Sequence, residues 1–407
     1  MKLVIRRRTD DLAMDTRCSV TELLVLAVLF LGAINFLNRE IYCFFAAFAI
    51  LLFLKRRFAL SKKVIAVFLF SFILLVFRRE SQGTISTMVS TFIYPVCFVI
   101  GYCFTERREG ITRKTAAFLT LAAVMAMGNL LHLLLNVLIN LGSDDRNLTD
   151  FWTNTIRAAT SQSALGVGAI TVMIAVLFTD TSKWKKLLAI AVLLVTLWCN
   201  LFLAGRTLLV IVLAIFAVML LYKLHVTPNE RLRVVAWLVT GVAVVALVYT
   251  TDLFGIKTIV VESNFYNRFF LDNSEEITET GRWDRKLDYL QYVLDYPFGG
   301  KHIYALVGGY AHDLYLDTYD EGGVFALIMI LVIEVQSFGT VWKLIKSETI
   351  SKYAKMVALC IITGYHMMFF VEPIVAGMEW FLCNYLLLYA SMECMLQHQD
   401  RENTVSC

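Results

Sequence analysis

Charge and proline are what this chain has least of. Of its 407 residues only 17% are Asp, Glu, Lys or Arg, 4 are proline and 58% are hydrophobic, with a mean hydropathy of +0.68. Soluble domains run at roughly 45–50% apolar and about 25% charged, so a water-soluble globule is excluded. The net charge of +4 is small and spread along the chain, and nucleic acid is not an expected partner. Nine cysteines are present, but none forms a CxxC pair and none lies in the long polar stretch after Tyr249. Neither a disulfide framework nor a metal site follows from them. Four prolines (Pro95, Pro228, Pro297, Pro373) leave little scope for the paired broken spans of secondary transporters.

What is abundant is apolar sequence in long blocks. A run of about 20 apolar residues crosses the hydrocarbon core as a helix. Continuous rather than alternating runs exclude a membrane barrel. Twelve spans are expected, near 20–37, 41–54, 64–77, 84–104, 115–139, 163–178, 187–203, 207–222, 234–250, 323–342, 355–371 and 376–395. The charged segment Met1–Arg17 is too long for a signal peptide and no small-residue cleavage site follows it, so the first run reads as a retained span. Lys and Arg favour the cytoplasmic side, and alternate connections carry 25 of the 37 basic residues. The expected fold is an all-α polytopic membrane protein of about 12 transmembrane helices, one integral domain over 1–407 with both termini cytoplasmic. A large helical loop, 251–322, faces outward between the ninth and tenth spans.

A loop of that length is usually functional or disordered. In its second half Trp283, Leu287, Leu290 and Leu294 recur at helical spacing after a candidate N-cap, Thr280. An amphipathic helix ending near Pro297 is therefore expected. Arg282, Arg285 and Lys286 share one face of its first turn, where cations oppose the helix dipole. A bound anion explains them, because a helix N-terminus offers free N–H groups to phosphate and Arg adds bidentate donors. The other reading is pairing with loop acids, since the loop holds 13 Asp and Glu against 6 Lys and Arg; Glu275, Glu276, Glu279 and Asp284 are the nearest.

His312 precedes the tenth span in the order His312, Asp313, Tyr315, Asp317, Glu321, Gly323. A neutral imidazole takes a proton from a hydroxyl near physiological pH, and the adjacent carboxylate could orient it. The alternative is an interfacial histidine among ordinary polar neighbours; His302, in turn-like sequence, is a rival. Arg206 occupies a tight outward turn where arginine is least expected, which marks either a functional site or a headgroup anchor. Arg78, Arg79 and Arg157 are also outward. Asn129, His132, Glu334 and His366 lie within spans, where helix-packing hydrogen bonds account for them.

Taken together, these residues resemble the O-antigen ligase and O-antigen polymerase family. The resemblance rests on the twelve-span layout, the large outer loop, Gly205-Arg206 between the seventh and eighth spans, Arg282-Trp283, Pro297-x-Gly299, and His312 with Leu314, Tyr315, Leu316, Glu321 and Gly323. Its motifs cover roughly Trp198 to Phe338; the first half matches in layout only. Two positions depart from the pattern: Asp313 replaces an Asn, Ser or Gln, and Gly205 replaces a common Ser, a change expected to matter little. The resemblance implies a GT-C type membrane glycosyltransferase working on the outer face of a bacterial plasma membrane with an undecaprenyl-diphosphate-linked glycan donor. The absence of an Asp-x-Asp motif outside suits such a lipid-linked donor. On this reading Arg206 and Arg282 carry the diphosphate, His312 activates the acceptor hydroxyl, and Arg285, Lys286, Asp313, Tyr315 and Glu321 bind substrate. No cofactor and no metal is expected. A polymerase acting on a lipid-linked glycan acceptor, partnered by a chain-length regulator protein, is preferred over a ligase acting on lipid A core or another acceptor. A transporter or flippase of lipid-linked glycan is the alternative from another class.

Overall fold

The computed structural model describes residues 20–54, 61–82, 90–108, 110–143, 145–179, 181–226, 246–262 and 282–405, with isolated positions between 236 and 266. Helices account for almost all regular structure among them, and no strand occurs there. In chain order they are α1 (Val20–Ala33), α2 (Glu40–Leu54), α3 (Val64–Gln82), α4 (Ile93–Glu106), α5 (Ile111–Ile139), α6 (Ala159–Phe178), α7 (Lys183–Leu203) and α8 (Arg206–Val226). After α9 (Ile256–Val261) come α10 (Arg282–Tyr292), α11 (His302–Val307), α12 (Leu314–Lys346), α13 (Lys352–Phe369), α14 (Ile374–Gly377) and α15 (Glu379–Val405). Among the described residues five helices, α5, α6, α7, α8 and α12, are long and apolar enough to cross a membrane, and four shorter apolar helices precede them. This architecture is compatible with a multi-pass membrane protein. The expected span 234–250 falls largely outside the described residues, as do Thr280 and the acidic part of the loop.

The helices pack as a bundle in which α6 is the most enclosed of the five long apolar helices, with 78% of its apolar window buried. It sits among α5, α7, α8 and α13, while α4 pairs with α15 and α12 lies along α3. The first span ends earlier than expected: after Ala33 the chain turns through Asn35, Leu37 and Asn38, all in the left-handed region. Such backbone is uncommon for residues other than glycine.

α12 is not one straight helix, and the expected tenth span, 323–342, forms its longer arm. Tyr315 Oη donates to Glu334 Oε1 at 3.0 Å, although 19 residues of unbroken helix would hold their Cα atoms about 28 Å apart. The chain therefore doubles back, and the hinge is Gly323, at φ 69° and ψ −167°. A Cβ there would sit 2.5 Å from Pro297 O and 2.7 Å from Phe298 Cα. The same contact brings Val324 N to Pro297 O at 2.9 Å, so the Pro297-Gly299 turn is locked onto the hinge. Gly323→Ala is expected to lower stability by about 2 kcal/mol or more through left-handed strain and backbone crowding. Thermal unfolding of the detergent-solubilised protein reads this directly.

Candidate functional site

The loop builds a small core of its own. Tyr289, Ile303, Ala311 and Tyr319 are buried together, tying α10, α11 and the short arm of α12, Leu314 to Gly322, into one unit. Hydrogen bonds fix its register. Asp320 accepts from Ile303 N at 2.9 Å, Asp317 from Ala311 N at 2.9 Å, and Tyr289 Oη donates to Gly309 O at 2.8 Å. Burial, with Asp320 and Asp317 behind it, pushes the Tyr289 phenol far above its ordinary range, so it serves as a donor and not as a phenolate.

α10 does form an amphipathic helix, but its apolar stripe is not core. Trp283 is 75% exposed and Leu294 89%, with Leu287 and Leu290 also open. The residue this helix buries is Tyr289, on the face turned toward the loop core. An exposed apolar stripe beside a cationic first turn is the pattern of a helix lying in a membrane interface.

The cations of that first turn meet the segment before α12. Arg285 Nη1 stands 3.5 Å from His312 Nε2, and its guanidinium packs against Gly309, where a Cβ would approach Nη1 to 2.9 Å. Lys286 Nζ lies 3.2 Å from Asp313 Oδ2 and donates to Phe370 O at 2.7 Å. Asp313 is the N-cap of α12, its other oxygen accepting from Leu316 N at 2.7 Å. The carboxylate thus acts as acceptor for a helix end and a lysine; its described contacts do not include the imidazole it was expected to orient.

His312 itself is held at φ 60°, a conformation that costs energy and persists only where the surroundings enforce it. Its Nδ1 is buried with no hydrogen-bond partner. Burial is the main cause that lowers its pKa to about 4, with Arg282, Arg285 and Lys286 adding to the effect. Since a guanidinium can only donate, the Nε2 facing Arg285 is the atom with the lone pair. A neutral imidazole with its basic nitrogen turned toward Arg285, and with Arg282 and Lys286 acting on the ring, is the outcome.

Arg282 Nη1 pairs with Glu372 Oε1 at 3.2 Å and donates to Val371 O at 3.0 Å. Glu372 lies in the turn between α13 and α14, and its side chain is fully buried. Burial raises its carboxyl while Arg282 pulls it down, and Thr160 and Thr207 act in the same direction as Arg282. Its Oε2 makes no hydrogen bond of ordinary geometry. Because Thr207 follows Arg206 at the start of α8, one buried carboxylate connects the loop cation Arg282 to the turn that carries Arg206. Sequence reading missed Glu372; the available signal was an acid immediately before Pro373, between two apolar runs.

The turn at Arg206 is tightly built. Ala204 is left-handed at φ 47°, Asn200 Nδ2 donates to Gly205 O at 2.8 Å and Ser163 Oγ donates to Asn200 Oδ1 at 3.3 Å. A Cβ on Gly205 would fall 2.3 Å from Asn200 Oδ1 and 2.5 Å from Ser163 Oγ. A side chain at Gly205 would have to displace the Asn200 and Ser163 side chains.

Two expected substrate-binding residues are engaged elsewhere. Tyr315 donates to Glu334, which also lies 3.7 Å from His366 Nε2; Glu321 is buried and pairs with Lys301 at 3.3 Å, beneath the Pro297-Gly299 turn. His302 stacks on Tyr296 at 5.2 Å, away from the cation cluster. Arg157 is paired with Asp150 at 2.9 Å, and the side chains of Arg78 and Arg79 lie outside the described residues. Among known proteins, no family model and no curated sequence matches this chain.

Proposed function

We propose that this protein is an outer-face glycosyltransferase that polymerises polysaccharide repeat units, moving glycan from an undecaprenyl-diphosphate-linked donor onto a lipid-linked glycan acceptor. The observation that carries the reading is the convergence of Arg282, Arg285 and Lys286 around His312. A diphosphate leaving group develops negative charge as it departs, and preorganised cations stabilise that charge most where water is excluded. Arg282 and Arg206 carry the diphosphate and Arg285 and Lys286 flank it. His312 Nε2 takes the proton of the acceptor hydroxyl as its oxygen attacks the anomeric carbon and the lipid diphosphate leaves. Glu372 pairs with Arg282 and Asp313 with Lys286, and a donor diphosphate would share these cations with them.

The exposed stripe of Trp283, Leu287, Leu290 and Leu294 fits the same reading, because a helix seated in the outer leaflet meets a membrane-anchored donor where its diphosphate emerges. The topology that goes with it has twelve spans and both termini on the cytoplasmic side of a bacterial plasma membrane. A described helix overlaps each expected span other than 234–250, and five of the described helices are long and apolar enough to cross a membrane. Because guanidinium groups supply the positive charge, transfer is expected to persist in EDTA; a loss that added divalent ion restores would contradict this.

The acceptor is tested in cells with Arg206→Ala, Arg282→Ala and His312→Ala, each checked for protein level and membrane insertion. Loss of long chains with single repeat units still reaching the surface supports polymerisation. Accumulation of unattached lipid-linked polymer favours a ligase, and normal chains in all three variants overturn the reading.

A further inference from the structure

One acid sits where an apolar helix has least use for it. Glu334 lies in the long arm of α12, a helix long and apolar enough to cross a membrane, and it is buried. Among the described residues it pairs with no lysine or arginine. Its contacts are Tyr315 Oη, which donates to Oε1 at 3.0 Å, and His366 Nε2, 3.7 Å from the same oxygen. Ionisable side chains in such a helix are costly and mark function by default. Helix packing alone accounts poorly for this one, because its hydrogen bond runs back to the short arm of its own helix and not to a neighbouring span.

The neighbours fix what the side chain at 334 must supply. His366 Nδ1 stands 2.8 Å from Ile362 O. A carbonyl only accepts, so in the neutral ring Nδ1 carries the hydrogen and Nε2 the lone pair. That Nε2 is buried without a hydrogen-bond partner. A group that accepts from Tyr315 and offers a hydrogen to His366 satisfies both. A carboxylic acid does this, and so would a glutamine amide.

Tyr315 stands three residues after His312. Its ring packs on Phe370 with centroids 5.2 Å apart, and Phe370 O accepts from Lys286 at 2.7 Å, the lysine that also pairs with Asp313. Phe370 closes α13 one turn beyond His366, its N donating to His366 O at 3.2 Å. Glu334, Tyr315, Phe370, Lys286 and Asp313 thus form a chain of contacts around the first turn of α12, immediately after the left-handed His312 at φ 60°. Such backbone at a histidine persists only where the surroundings enforce it. These contacts supply the enforcement from the C-terminal side.

We propose that Glu334 is a positioning residue for His312: by accepting from Tyr315 it latches the first turn of α12 to the long arm and so fixes where the imidazole stands. Glu334 touches neither substrate nor reacting atoms. Its kinetic consequence rests on the glycan-transfer reading; the latch itself is a property of the fold. A misplacement of about 1 Å can cost about 100-fold in rate, and a loss of this origin falls on turnover and not on donor binding.

The test uses the full chain in lipid nanodiscs. Tyr315→Phe keeps the ring on Phe370 and removes the hydroxyl, Glu334→Leu removes the acceptor, and Glu334→Gln keeps an acceptor for Tyr315 and a donor for His366. The first two are expected to lower kcat by about tenfold or more. KM for the lipid-linked donor should stay unchanged, so that kcat and kcat/KM fall together. Glu334→Gln is expected to retain transfer close to wild type. Diethyl pyrocarbonate modification, followed by mass spectrometry, reads the imidazole without any turnover. His312 should react faster in Tyr315→Phe and Glu334→Leu than in wild type or Glu334→Gln, measured against the exposed His302 in the same sample. Should Glu334→Leu fail to fold, Tyr315→Phe carries both readouts. Unchanged kcat or unchanged His312 reactivity in folded Tyr315→Phe overturns the latch, and so does a Glu334→Gln variant as impaired as Glu334→Leu. If wild-type protein transfers no glycan, faster His312 modification in Tyr315→Phe still supports the latch and only the glycan-transfer reading is lost; an unchanged rate overturns the latch as well.

Discussion

His312→Ala is expected to cut glycan transfer by at least about 100-fold while leaving the protein folded and inserted, the scale at which a positioned general base contributes. The pH profile makes the expectation more specific. The imidazole pKa is lowered to about 4 by burial and by Arg282, Arg285 and Lys286. Its basic form is thus fully populated above that pH and lost as pH falls through it. A base so weak removes a hydroxyl proton poorly at neutral pH. On the proposed reading a donor would repair this in part, because an anionic diphosphate among the same three cations would cancel the charges that add to the effect of burial on the ring. His312 is therefore expected to titrate higher in the donor complex than in the free protein. The acid limb of kcat, which reports the complex, should lie at higher pH than the acid limb of kcat/KM, which reports the free protein. Limbs that coincide near 4, or an alanine variant with wild-type transfer, would remove His312 from the chemistry.

Arg282→Ala is expected to abolish transfer and also to destabilise the protein, and the two effects should separate. The guanidinium is the ionic partner of Glu372, whose side chain is fully buried. Removing one member of a buried pair costs about 3–5 kcal/mol when the survivor stays charged, and less here to the extent that Glu372 takes up a proton. Its carboxyl is already raised by burial and is restrained mainly by Arg282. Replacing Glu372 as well, in Arg282→Ala with Glu372→Gln, removes the stranded charge. The double variant should regain most of the lost thermal stability and none of the lost transfer. Recovery of both together would mean that Arg282 serves only to hold the α13–α14 turn in place.

Much of the helical framework was legible because it is written in uninterrupted apolar runs, a signal that needs no knowledge of neighbours. The start of the loop helix was legible in the same way from Arg282 and Trp283. What its stripe faces was not, since periodicity shows that Trp283 and Leu294 share a side but not whether protein covers it. The span was expected to begin at Gly323, but the helical arm before it, Leu314 to Gly322, was read as loop, and only the Tyr315-Glu334 contact reveals that the two arms fold back on each other. Pairing partners distant in sequence were the least legible. Arg282 and Glu372 are 90 residues apart, and nothing local to the loop distinguishes Glu372 from the nearer acids at 275, 276 and 279. The role of Asp313 was ambiguous for a related reason: a carboxylate after a histidine reads equally as its orienting partner or as the N-cap of the next helix. The helix end and Lys286 have the prior claim.

The most direct test of the account is made with purified protein in lipid nanodiscs, supplied with an undecaprenyl-diphosphate-linked repeat unit. Both free undecaprenyl diphosphate and glycan chain length are followed over time. The account predicts that lipid diphosphate is released in step with lengthening of the lipid-linked glycan, in EDTA as in buffer, and that His312→Ala stops both. Unaltered donor, with no diphosphate lipid released by wild-type protein and intact lipid-linked units moved between the leaflets of proteoliposomes instead, would contradict it.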